Sequence, residues 1–282
     1  MKIVKNALVK DYTTYKLTGT IKEVIYPDNE KELVELLKKL KGKKYKVIGN
    51  GSNLIFLDNY NGTIIKLDNF NKLEMLNNIV KVGAGYSLIK LAIKTANNSL
   101  SGLEFASGIP GTVGGAICMN AGAYNKEIKD IVKDVTVMDE NGNIILLTSK
   151  ELKFGYRTSI LKQKKYICLS ATFRLEKKEK EEIIDLIKQR KQKRLATQPL
   201  NYPSAGSVFT NPKDDYAGRL IEQANLKGYK IGGAEISTKH ANFIINKNKA
   251  SGKDVKQLIE YIQKEIKEKY NIELKTEQEI VK

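Results

Sequence analysis

The sequence has few of the residues that build metal and redox sites. Its 282 residues include two cysteines and a single histidine, His240. One histidine excludes a metal site built from several imidazole groups, so no metal is expected. Cys118 and Cys168 each lie among apolar residues and form no CxxC pair. Such a setting is typical of cysteines that pack in a core rather than of a redox or metal-binding pair.

Long apolar runs are also absent, although 41% of the residues are hydrophobic. No segment approaches the ~18 apolar residues that a membrane-spanning helix needs. Residues 1–10 carry lysines where a secretory signal peptide requires an uninterrupted apolar stretch. We therefore expect a cytoplasmic protein without a membrane span, divided into about two or three domains.

Arginine is scarce in this strongly basic chain. Only five of the 49 basic residues are arginine, and the net charge is +17. A basic balance can indicate nucleic-acid binding, and one alternative is a basic nucleic-acid-binding protein whose glycines serve as linkers. The lysines are spread through the predicted helices rather than clustered, so we expect no nucleic-acid partner. A positive field would instead speed the arrival of phosphorylated small molecules.

Two glycine-rich stretches are the most informative features that the sequence does contain. Six of the 23 residues at 102–124 are glycine, and Gly-Asn-Gly-Ser-Asn at 49–53 follows the apolar run 45–48. Glycine permits positive φ and close backbone approach, and rows of bare amides bind phosphate oxygens. A mobile loop and an ordinary Asn-Gly turn are the alternative interpretations. Neither stretch has the GxGxxG or Walker spacing, but the pair predicts one long diphosphate-containing cofactor held between them.

Hydrophobic periodicity predicts a mixed chain of helices and strands. Helices are predicted after Asn29 and Ser251, which begin capping-box patterns, and at Ser87–Asn97 and Tyr216–Ala224. The almost entirely charged segment Glu176–Arg194 predicts a solvated connecting helix, and we place the boundary to the last domain there. Strands are predicted at Thr20–Tyr26, Tyr45–Ile48, Thr63–Leu67, Lys72–Leu76, Ile79–Val82, Ile131–Met138, Asn143–Thr148, Tyr166–Leu175 and Ala241–Asn246.

Six motifs follow one another along the chain. They are Gly-Asn-Gly-Ser-Asn (49–53), Gly-Ile-Pro-Gly-Thr-Val-Gly-Gly-Ala (108–116), Asn-Ala-Gly-Ala-Tyr (120–124), Tyr-Arg-Thr-Ser (156–159), Pro-Ser-Ala-Gly-Ser-Val-Phe (203–209) and Lys-His-Ala-Asn-Phe (239–243). Together they resemble the UDP-N-acetylenolpyruvoylglucosamine reductase family, flavoenzymes that make UDP-N-acetylmuramate for bacterial peptidoglycan. The match covers nearly the whole chain and is similar to the shorter of the family's two classes.

The resemblance implies an α+β fold in two domains. Residues 1–180 would form a two-part FAD-binding domain of the vanillyl-alcohol-oxidase (PCMH) type, with subdomains at about 1–70 and 71–180. Residues 181–282 would form a smaller α+β substrate-binding domain that begins with the charged connecting helix. Some flavoproteins of this fold attach FAD covalently to a histidine or cysteine, but the glycine-rich domain here has no histidine. Non-covalent FAD is therefore expected.

The implied activity is an NADPH-dependent reduction in cell-wall biogenesis. NADPH would deliver hydride to FAD, and the reduced flavin would pass it to the enolpyruvyl ether of UDP-N-acetylglucosamine, a nucleotide-sugar substrate. The enzyme is expected to be a monomer. The alternative is an oxidase of the same FAD fold that acts on an alcohol or a sugar, which would be reoxidised by oxygen and would consume no NADPH.

The resemblance assigns catalysis to Arg157, Ser207 and Glu277. A planar, permanently charged guanidinium suits a carboxylate or a developing enolate, and an arginine in a lysine-rich chain suggests that its fork geometry matters. A surface ion pair is the alternative for Arg157. Ser207 corresponds to the family's proton donor, with Ser204 as the competing candidate, although sequence alone favours a plain loop residue. No Asp-His relay that would make Ser207 a hydrolase nucleophile is evident.

The C-terminal tail both matches the family and departs from it. Family members commonly end with Glu-Val-Arg, whose glutamate helps to stabilise the enolate. Glu277 aligns with that glutamate, but Glu279 stands where arginine is usual. Either another lysine compensates, or substrate affinity is reduced, or the register is shifted by two and Glu279 is the acid. Thr210 and Glu235 also stand where the family more often has a basic residue and glutamine.

The remaining site residues are likewise implied by the resemblance. The substrate-binding candidates are Tyr156, Asn211, His240 and Asn242, although His240 in isolation would more often be a structural hydrogen-bonding residue. The cofactor-binding candidates are Gly49, Asn50, Gly51, Ser52, Asn53, Gly83, Gly108, Ile109, Pro110, Gly111, Gly114, Gly115, Ala116, Asn120, Gly122, Ala123, Arg194 and Phe243.

Overall fold

The computed structural model describes all residues from Met1 to Lys282. Its helices are α1 (Glu30–Lys39), α2 (Leu88–Ala96), α3 (Val113–Met119), α4 (Ile160–Gln163), α5 (Lys180–Thr197), α6 (Ala217–Gln223) and α7 (Gly252–Tyr270), with 3-10 turns at Val9–Asp11, Glu104–Ala106 and Ile128–Asp130. Its strands are β1 (Lys2–Leu8), β2 (Thr20–Tyr26), β3 (Tyr45–Ile48), β4 (Leu54–Phe56), β5 (Tyr60–Lys66), β6 (Leu73–Leu76), β7 (Ile79–Gly83), β8 (Leu100–Ser101), β9 (Gly122–Ala123), β10 (Lys126–Glu127), β11 (Val132–Met138), β12 (Ile144–Thr148), β13 (Ile167–Arg174), β14 (Glu176–Lys177), β15 (Lys230–Ile231), β16 (Ala234–Ile236), β17 (Ile244–Asn246) and β18 (Glu279–Val281).

Three larger sheets and a short parallel pair organise most of these strands, and β10-β9 and β14-β8 form two further short pairs. The largest sheet has the order β12-β11-β13-β7-β6 and is antiparallel throughout. A second sheet has the order β1-β2-β5-β3, in which β3 and β5 run parallel. The third is β15-β16-β17. The C-terminal strand β18 pairs in parallel with β4, and Glu279 lies opposite Leu54.

Helices α1, α2 and α7 begin where the sequence predicts, whereas the helix predicted from Glu176 begins at Lys180, because Glu176 and Lys177 form β14. The Asn29 side chain accepts from the Glu32 amide at the start of α1, and Ser87 does the same for Lys90 at α2. At α7, Ser251 and Asp254 form both halves of a capping box. Such caps satisfy backbone donors that have no partner within the helix. The predicted apolar face of α7 is buried, at Val255, Leu258, Ile259, Ile262 and Ile266.

The chain divides into two compact units, each built from separate stretches of sequence. The first unit comprises residues 1–4, 24–50 and 62–193, and the second comprises residues 5–23, 51–61 and 194–282. The core of the first unit packs the largest sheet against α1, α2 and α3. The core of the second unit includes the fully buried rings of Tyr15, Phe56 and Phe209. No helix combines the length and the apolar character that crossing a bilayer requires.

A single cut at residue 180 does not reproduce these units. The change near that point falls within α5, between Lys193 and Arg194, and two earlier segments belong to the second unit. The helix itself is largely exposed, with Ile183 and Ile187 as its buried residues, as the charged sequence predicts. The division of functions between residues 1–180 and 181–282 stays a prediction.

Three elements carry no clear signal in the sequence. Strand β1 shows no clear alternation of apolar and polar residues, and only Ala7 is buried in it. Strand β4 has just three residues. Helix α3 contains Gly114 and Gly115, which are poor helix formers. It forms because Thr112 accepts from the Gly115 amide and because Val113, Ala116 and Ile117 are buried. Tertiary packing overrides local propensity in this segment.

Candidate active site

Gly49 and Asn50, the part of the first glycine-rich stretch that belongs to the first unit, meet the second stretch there. The Asn50 side-chain amide donates to the Pro110 carbonyl over 3.2 Å. A Cβ added to Gly49 would lie 2.4 Å from Thr112 Oγ1, so only glycine fits at this contact. Lys66, a buried lysine, donates to the Gly49 carbonyl over 2.8 Å from the other side. Residues of both stretches thus form one local structure, and the Lys66 ammonium group is hydrogen-bonded to it.

The stretch at 49–53 has two bare backbone amides, whereas most amides of the stretch at 108–116 are hydrogen-bonded within the protein, so the row of bare amides expected there is not formed. The amide groups of Asn50 and Ser52 donate to no protein acceptor. Gly51 has a φ of +61°, and an added Cβ would lie 2.2 Å from the Tyr12 carbonyl oxygen. At Gly115 an added Cβ would have only Thr112 Oγ1 within 4 Å, at 3.5 Å. Unpaired amides and a side-chain-free strip are what a pyrophosphate-containing cofactor requires, so these residues fit FAD.

Other glycines in the predicted cofactor set serve packing. A Cβ added to Gly83, at the end of β7, would lie 2.1 Å from the Phe70 carbonyl oxygen. Gly114 donates its amide to the Ala84 carbonyl and packs against the Ala84 side chain. These two glycines let α3 and the 67–71 segment approach β7 closely. They therefore support the shape of the predicted site whether or not they touch a cofactor.

Asn120 is committed to internal hydrogen bonds. It is fully buried, with a positive φ of 43°, at the C-terminal end of α3. Its amide group donates to Glu127 Oε2 and to the Gly155 carbonyl, and its oxygen accepts from the Lys129 amide. The side chain therefore ties three segments together, and its influence on a cofactor would be indirect.

Arg157 lies at the tip of a tight turn in the first unit. Gly155 and Thr158 close the turn with two backbone hydrogen bonds, and Arg157 has a φ of +56°. Its guanidinium donates to the Gly122 carbonyl over 2.9 Å and pairs with Glu127 over 3.4 Å. The same group lies 4.8 Å from the centre of the Tyr156 ring. Positive φ in a residue with a Cβ is uncommon and concentrates at functional sites.

Ser207 lies in the second unit, in a loop with bends at Gly206 and Val208 that is held by its neighbours on both sides. The following residue, Val208, donates its amide to the Asn242 carbonyl. The Asn242 side chain then brackets Phe209, accepting from its amide over 2.9 Å and donating to its carbonyl over 2.8 Å. Both polar ends of the Asn242 side chain are therefore used inside the protein. The Ser207 hydroxyl itself has no hydrogen-bond partner, as a group that donates to substrate requires.

The chain reversal at the C-terminus brings Glu277 beside this segment. The Glu277 amide donates to the Val208 carbonyl over 2.8 Å, and Phe209 and Thr276 form an antiparallel bridge. Asn53 donates from its side chain to the Glu277 carbonyl over 3.0 Å. Glu279 lies further along, where its amide bonds the Asn53 carbonyl and β18 begins. In this register the Glu277 backbone pairs with the segment that follows Ser207, whereas Glu279 pairs with Asn53 and Leu54.

The remaining predicted substrate residues have mixed surroundings. Asn211 is exposed, and its side chain accepts from the Ala217 amide at the start of α6. His240 accepts at Nδ1 from the Asn242 amide over 3.3 Å, and burial is the largest influence that lowers its pKa. Phe243 is buried, 4.8 Å from the His240 ring. Tyr156 is 57% exposed, so it is open to a ligand.

Sequence reasoning missed three residues that shape the predicted site: Lys66, Glu127 and Gln278. Nothing in the local sequence distinguishes Lys66 and Glu127 from the other charged residues of the chain, because their role depends on contacts with residues far away in sequence. Gln278 is 3% exposed although it stands between two glutamates. A usable signal was available there, because alternation through Glu277, Gln278 and Glu279 places the glutamine on the opposite face from the two carboxylates.

Comparison with known proteins defines first the class and then the family. Residues 21–148 match the family model described as "FAD binding domain", and residues 198–281 match "UDP-N-acetylenolpyruvoylglucosamine reductase, C-terminal domain". The chain is thus a flavin-dependent oxidoreductase, as predicted.

Full-length relatives identify the family. The chain is 44% identical to UDP-N-acetylenolpyruvoylglucosamine reductase of Bacillus licheniformis and 46% identical to that of Anoxybacillus flavithermus, in each case over 99% of this chain and 94% of the relative. The crystal structure of the Thermus caldophilus enzyme superposes with a TM-score of 0.86 at 35% identity, covering 100% of this chain and 98% of that one. This chain belongs to the UDP-N-acetylenolpyruvoylglucosamine reductase family, and the predicted α+β flavoprotein fold is confirmed.

Proposed function

We propose that the enzyme reduces the enolpyruvyl ether of UDP-N-acetylglucosamine to UDP-N-acetylmuramate, with NADPH as the hydride donor. The observation that carries this proposal is the pairing of the Ser207 segment with the Glu277 segment, through the hydrogen bond from the Glu277 amide to the Val208 carbonyl. This hydrogen bond brings the backbone of the proposed proton-donor segment next to the segment that carries Glu277, on a chain whose glycine-rich loops fit a flavin nucleotide.

The residues that would hold FAD are those of the two glycine-rich stretches, chiefly Gly49–Asn53 and Gly108–Ala116. When bound, FAD supplies hydride transfer from NADPH to the terminal methylene carbon of the enolpyruvyl group. The buried ammonium group of Lys66, 2.8 Å from the Gly49 carbonyl and 3.2 Å from the Asp68 carboxylate, would hold the first of these stretches in place. No histidine occurs in residues 1–193, so we propose that FAD would be held there without a covalent bond to histidine.

Ser207 would supply the proton that completes the reduction. Hydride addition at the methylene carbon leaves the adjacent carbon to gain a proton, and the electron pair is spread over the carboxylate as an enolate. The Ser207 hydroxyl donates that proton, the new C–H bond forms, and the serine alkoxide is reprotonated from solvent. A positioned proton donor contributes about 10²–10⁴ in rate.

Arg157 and Glu277 would stabilise the charge that develops. The Arg157 guanidinium is permanently positive and would pair with the substrate carboxylate, whose charge grows as the enolate forms. A carboxyl group beside an enolate helps only as the neutral acid, because a second negative charge would repel it. Glu277 would therefore act as a protonated hydrogen-bond donor.

The other assignments follow from this reaction. Tyr156, Asn211 and His240 are the substrate-binding candidates whose surroundings leave side-chain surface for a ligand, whereas Asn242 shapes the Ser207 segment. Arg194 and Phe243 stay in the predicted cofactor set. Since the substrates are NADPH and a nucleotide sugar, we place the reaction in the cytoplasm. We also propose that the enzyme is a monomer, which light scattering would test.

Rapid mixing of the purified flavoprotein with each substrate tests the proposal. Ser207→Ala should be reduced by NADPH at the wild-type rate, while its reoxidation by the enolpyruvyl nucleotide should slow by about 10²–10⁴. Ser204→Ala, the matched control in the same segment, should pass through both half-reactions normally. Wild-type reoxidation of Ser207→Ala, or an equal loss in both half-reactions, would contradict the assignment.

A further inference from the structure

Gln278 makes an unusual set of contacts with the segment that carries Ser207. Its side-chain nitrogen donates to the carbonyl oxygens of Ala205 and Gly206, each over 3.1 Å, and to that of Ser207 over 3.3 Å. The residue is 3% exposed. The two N–H groups of one buried amide therefore serve three successive carbonyls of the proposed catalytic segment, with one N–H shared between two of them.

No other protein group shares this task. Asn242 forms hydrogen bonds with Val208 and Phe209, which follow the segment. The backbone amide of Asn246 donates to the carbonyl of Pro203, which precedes it. Between those points, the bonds from Gln278 are the only ones that the protein makes to Ala205, Gly206 and Ser207. Gly206 has a φ of +75° and no atom within 4 Å of an added Cβ, so packing does not fix this residue either.

The chemistry of the amide makes its orientation unambiguous. Only the nitrogen of a glutamine amide is a donor, and three carbonyl oxygens face it. Turning the amide over would place its oxygen against those acceptors, which is unfavourable. The Gln278 oxygen then lies in the interior without a hydrogen-bond partner, as does the hydroxyl of Tyr15, which is fully buried. Burial raises the pKa of Tyr15, and the neighbouring Gln278 amide opposes that rise.

We propose that Gln278 is a positioning residue, which fixes the Ala205–Ser207 backbone so that the Ser207 hydroxyl reaches the substrate carbon. This inference rests on the proposed role of Ser207 as proton donor. Without Gln278 the three carbonyls lose their partner, and the segment is free to move at Gly206. A displacement of about 1 Å in a catalytic group can cost about 10²-fold in rate.

The test compares three variants in the two half-reactions. Gln278→Met keeps the length of the side chain and removes its donor. Gln263→Met is the matched control, because Gln263 also donates to a backbone carbonyl of the second unit, that of Leu274, over 2.8 Å, but lies outside the serine segment. Ser207→Ala is measured beside them to test the role of Ser207 itself.

Gln278→Met should be reduced by NADPH at the wild-type rate and reoxidised by the enolpyruvyl nucleotide about 10²-fold more slowly. Its reoxidation should also show a larger solvent deuterium isotope effect than wild type, since a misplaced donor makes proton transfer limiting. A purely structural role would not produce that isotope effect. Gln263→Met should match wild type in both half-reactions.

The outcomes separate the two hypotheses. If Ser207→Ala is slow in reoxidation and Gln278→Met is not, the positioning role is wrong and the role of Ser207 stands. If Ser207→Ala is reoxidised normally, the proposed function fails first. If Gln278→Met does not retain FAD, Gln278→Asn, which keeps the amide on a shorter side chain, is measured instead and the same outcomes apply.

Discussion

The structure holds its two best candidate catalytic groups in opposite ways. Arg157 is fixed through its own side chain, by the Gly122 carbonyl, the Glu127 carboxylate and the Tyr156 ring. Ser207 is fixed through its backbone, and its hydroxyl has no hydrogen-bond partner. The difference follows from the side chains. An arginine has about 2 kcal/mol of rotamer entropy to lose before it can bind in one geometry, whereas a serine has little, so its position depends on the main chain.

This contrast predicts that each group has its own sensitive neighbours. Changes to side-chain partners should disturb Arg157, and changes to backbone supports should disturb Ser207.

Among changes to the neighbours and charges of the two groups, removing the charge of Arg157 should have the largest effect. Arg157→Met should slow reoxidation by the enolpyruvyl nucleotide by about 10²–10³, the usual loss for an electrostatic stabiliser. Arg157→Lys, which retains the charge but not the planar fork, should lie between Arg157→Met and wild type. Stopped-flow absorbance of the flavin measures both. If Arg157→Lys and Arg157→Met behave alike, fork geometry decides and charge alone does not.

Removing the two hydrogen bonds between Asn242 and Phe209 should lower the free energy of unfolding and should not affect the stabilisation of charge in the reaction. Asn242→Leu leaves the buried amide and carbonyl of Phe209 unpaired, at a cost of about 1–3 kcal/mol for each group. Thr210→Val is the control, because it removes one exposed side-chain bond to the Lys275 carbonyl. It should change the free energy of unfolding by less than about 1 kcal/mol. Urea denaturation distinguishes them, and equal losses would mean that Asn242 is not a structural bracket.

A smaller change at Gly206 tests whether the backbone positions Ser207. Gly206→Ala forces a Cβ into positive φ without a steric clash and should cost about 1–2 kcal/mol of stability. Gly228 offers a matched site, with a φ of +79° and Thr238 Cγ2 at 3.5 Å from an added Cβ as its only close neighbour. Gly228→Ala should cost a similar amount yet leave reoxidation unchanged, whereas Gly206→Ala should slow it. Equal reoxidation rates in the two variants would show that the backbone conformation of Gly206 does not determine the position of Ser207.

The contrast also explains what could be read from the sequence. Local patterns sufficed for the helix caps at Asn29 and Ser251 and for the burial of the apolar face of α7. Motif order sufficed for the family. The roles of Gln278, Asn242 and Lys66 could not be predicted, because each depends on backbone groups far away in sequence that meet only in the folded chain. The register of Glu277 against Val208 was open for the same reason.

The smallest expected effect concerns pH. Only the second unit should show it, because His240 is the only histidine in the chain and residues 1–193 contain none. Burial lowers the pKa of His240 below its usual value of 6.5, so the folded protein binds a proton there less readily than the unfolded chain. The stabilisation by neutral His240 is complete above the unfolded value and is lost as the pH falls below it.

His240→Gln should therefore lose less free energy of unfolding than wild type between pH 7.5 and pH 5.5. Urea denaturation at the two pH values measures this difference, and no other imidazole complicates the comparison. Because His240 Nδ1 accepts from the Asn242 amide, the same acidification should loosen the bracket at Phe209 in wild type and leave Arg157 unaffected. Parallel pH dependence in the variant and in wild type would show that carboxylates, and not His240, control stability in this range.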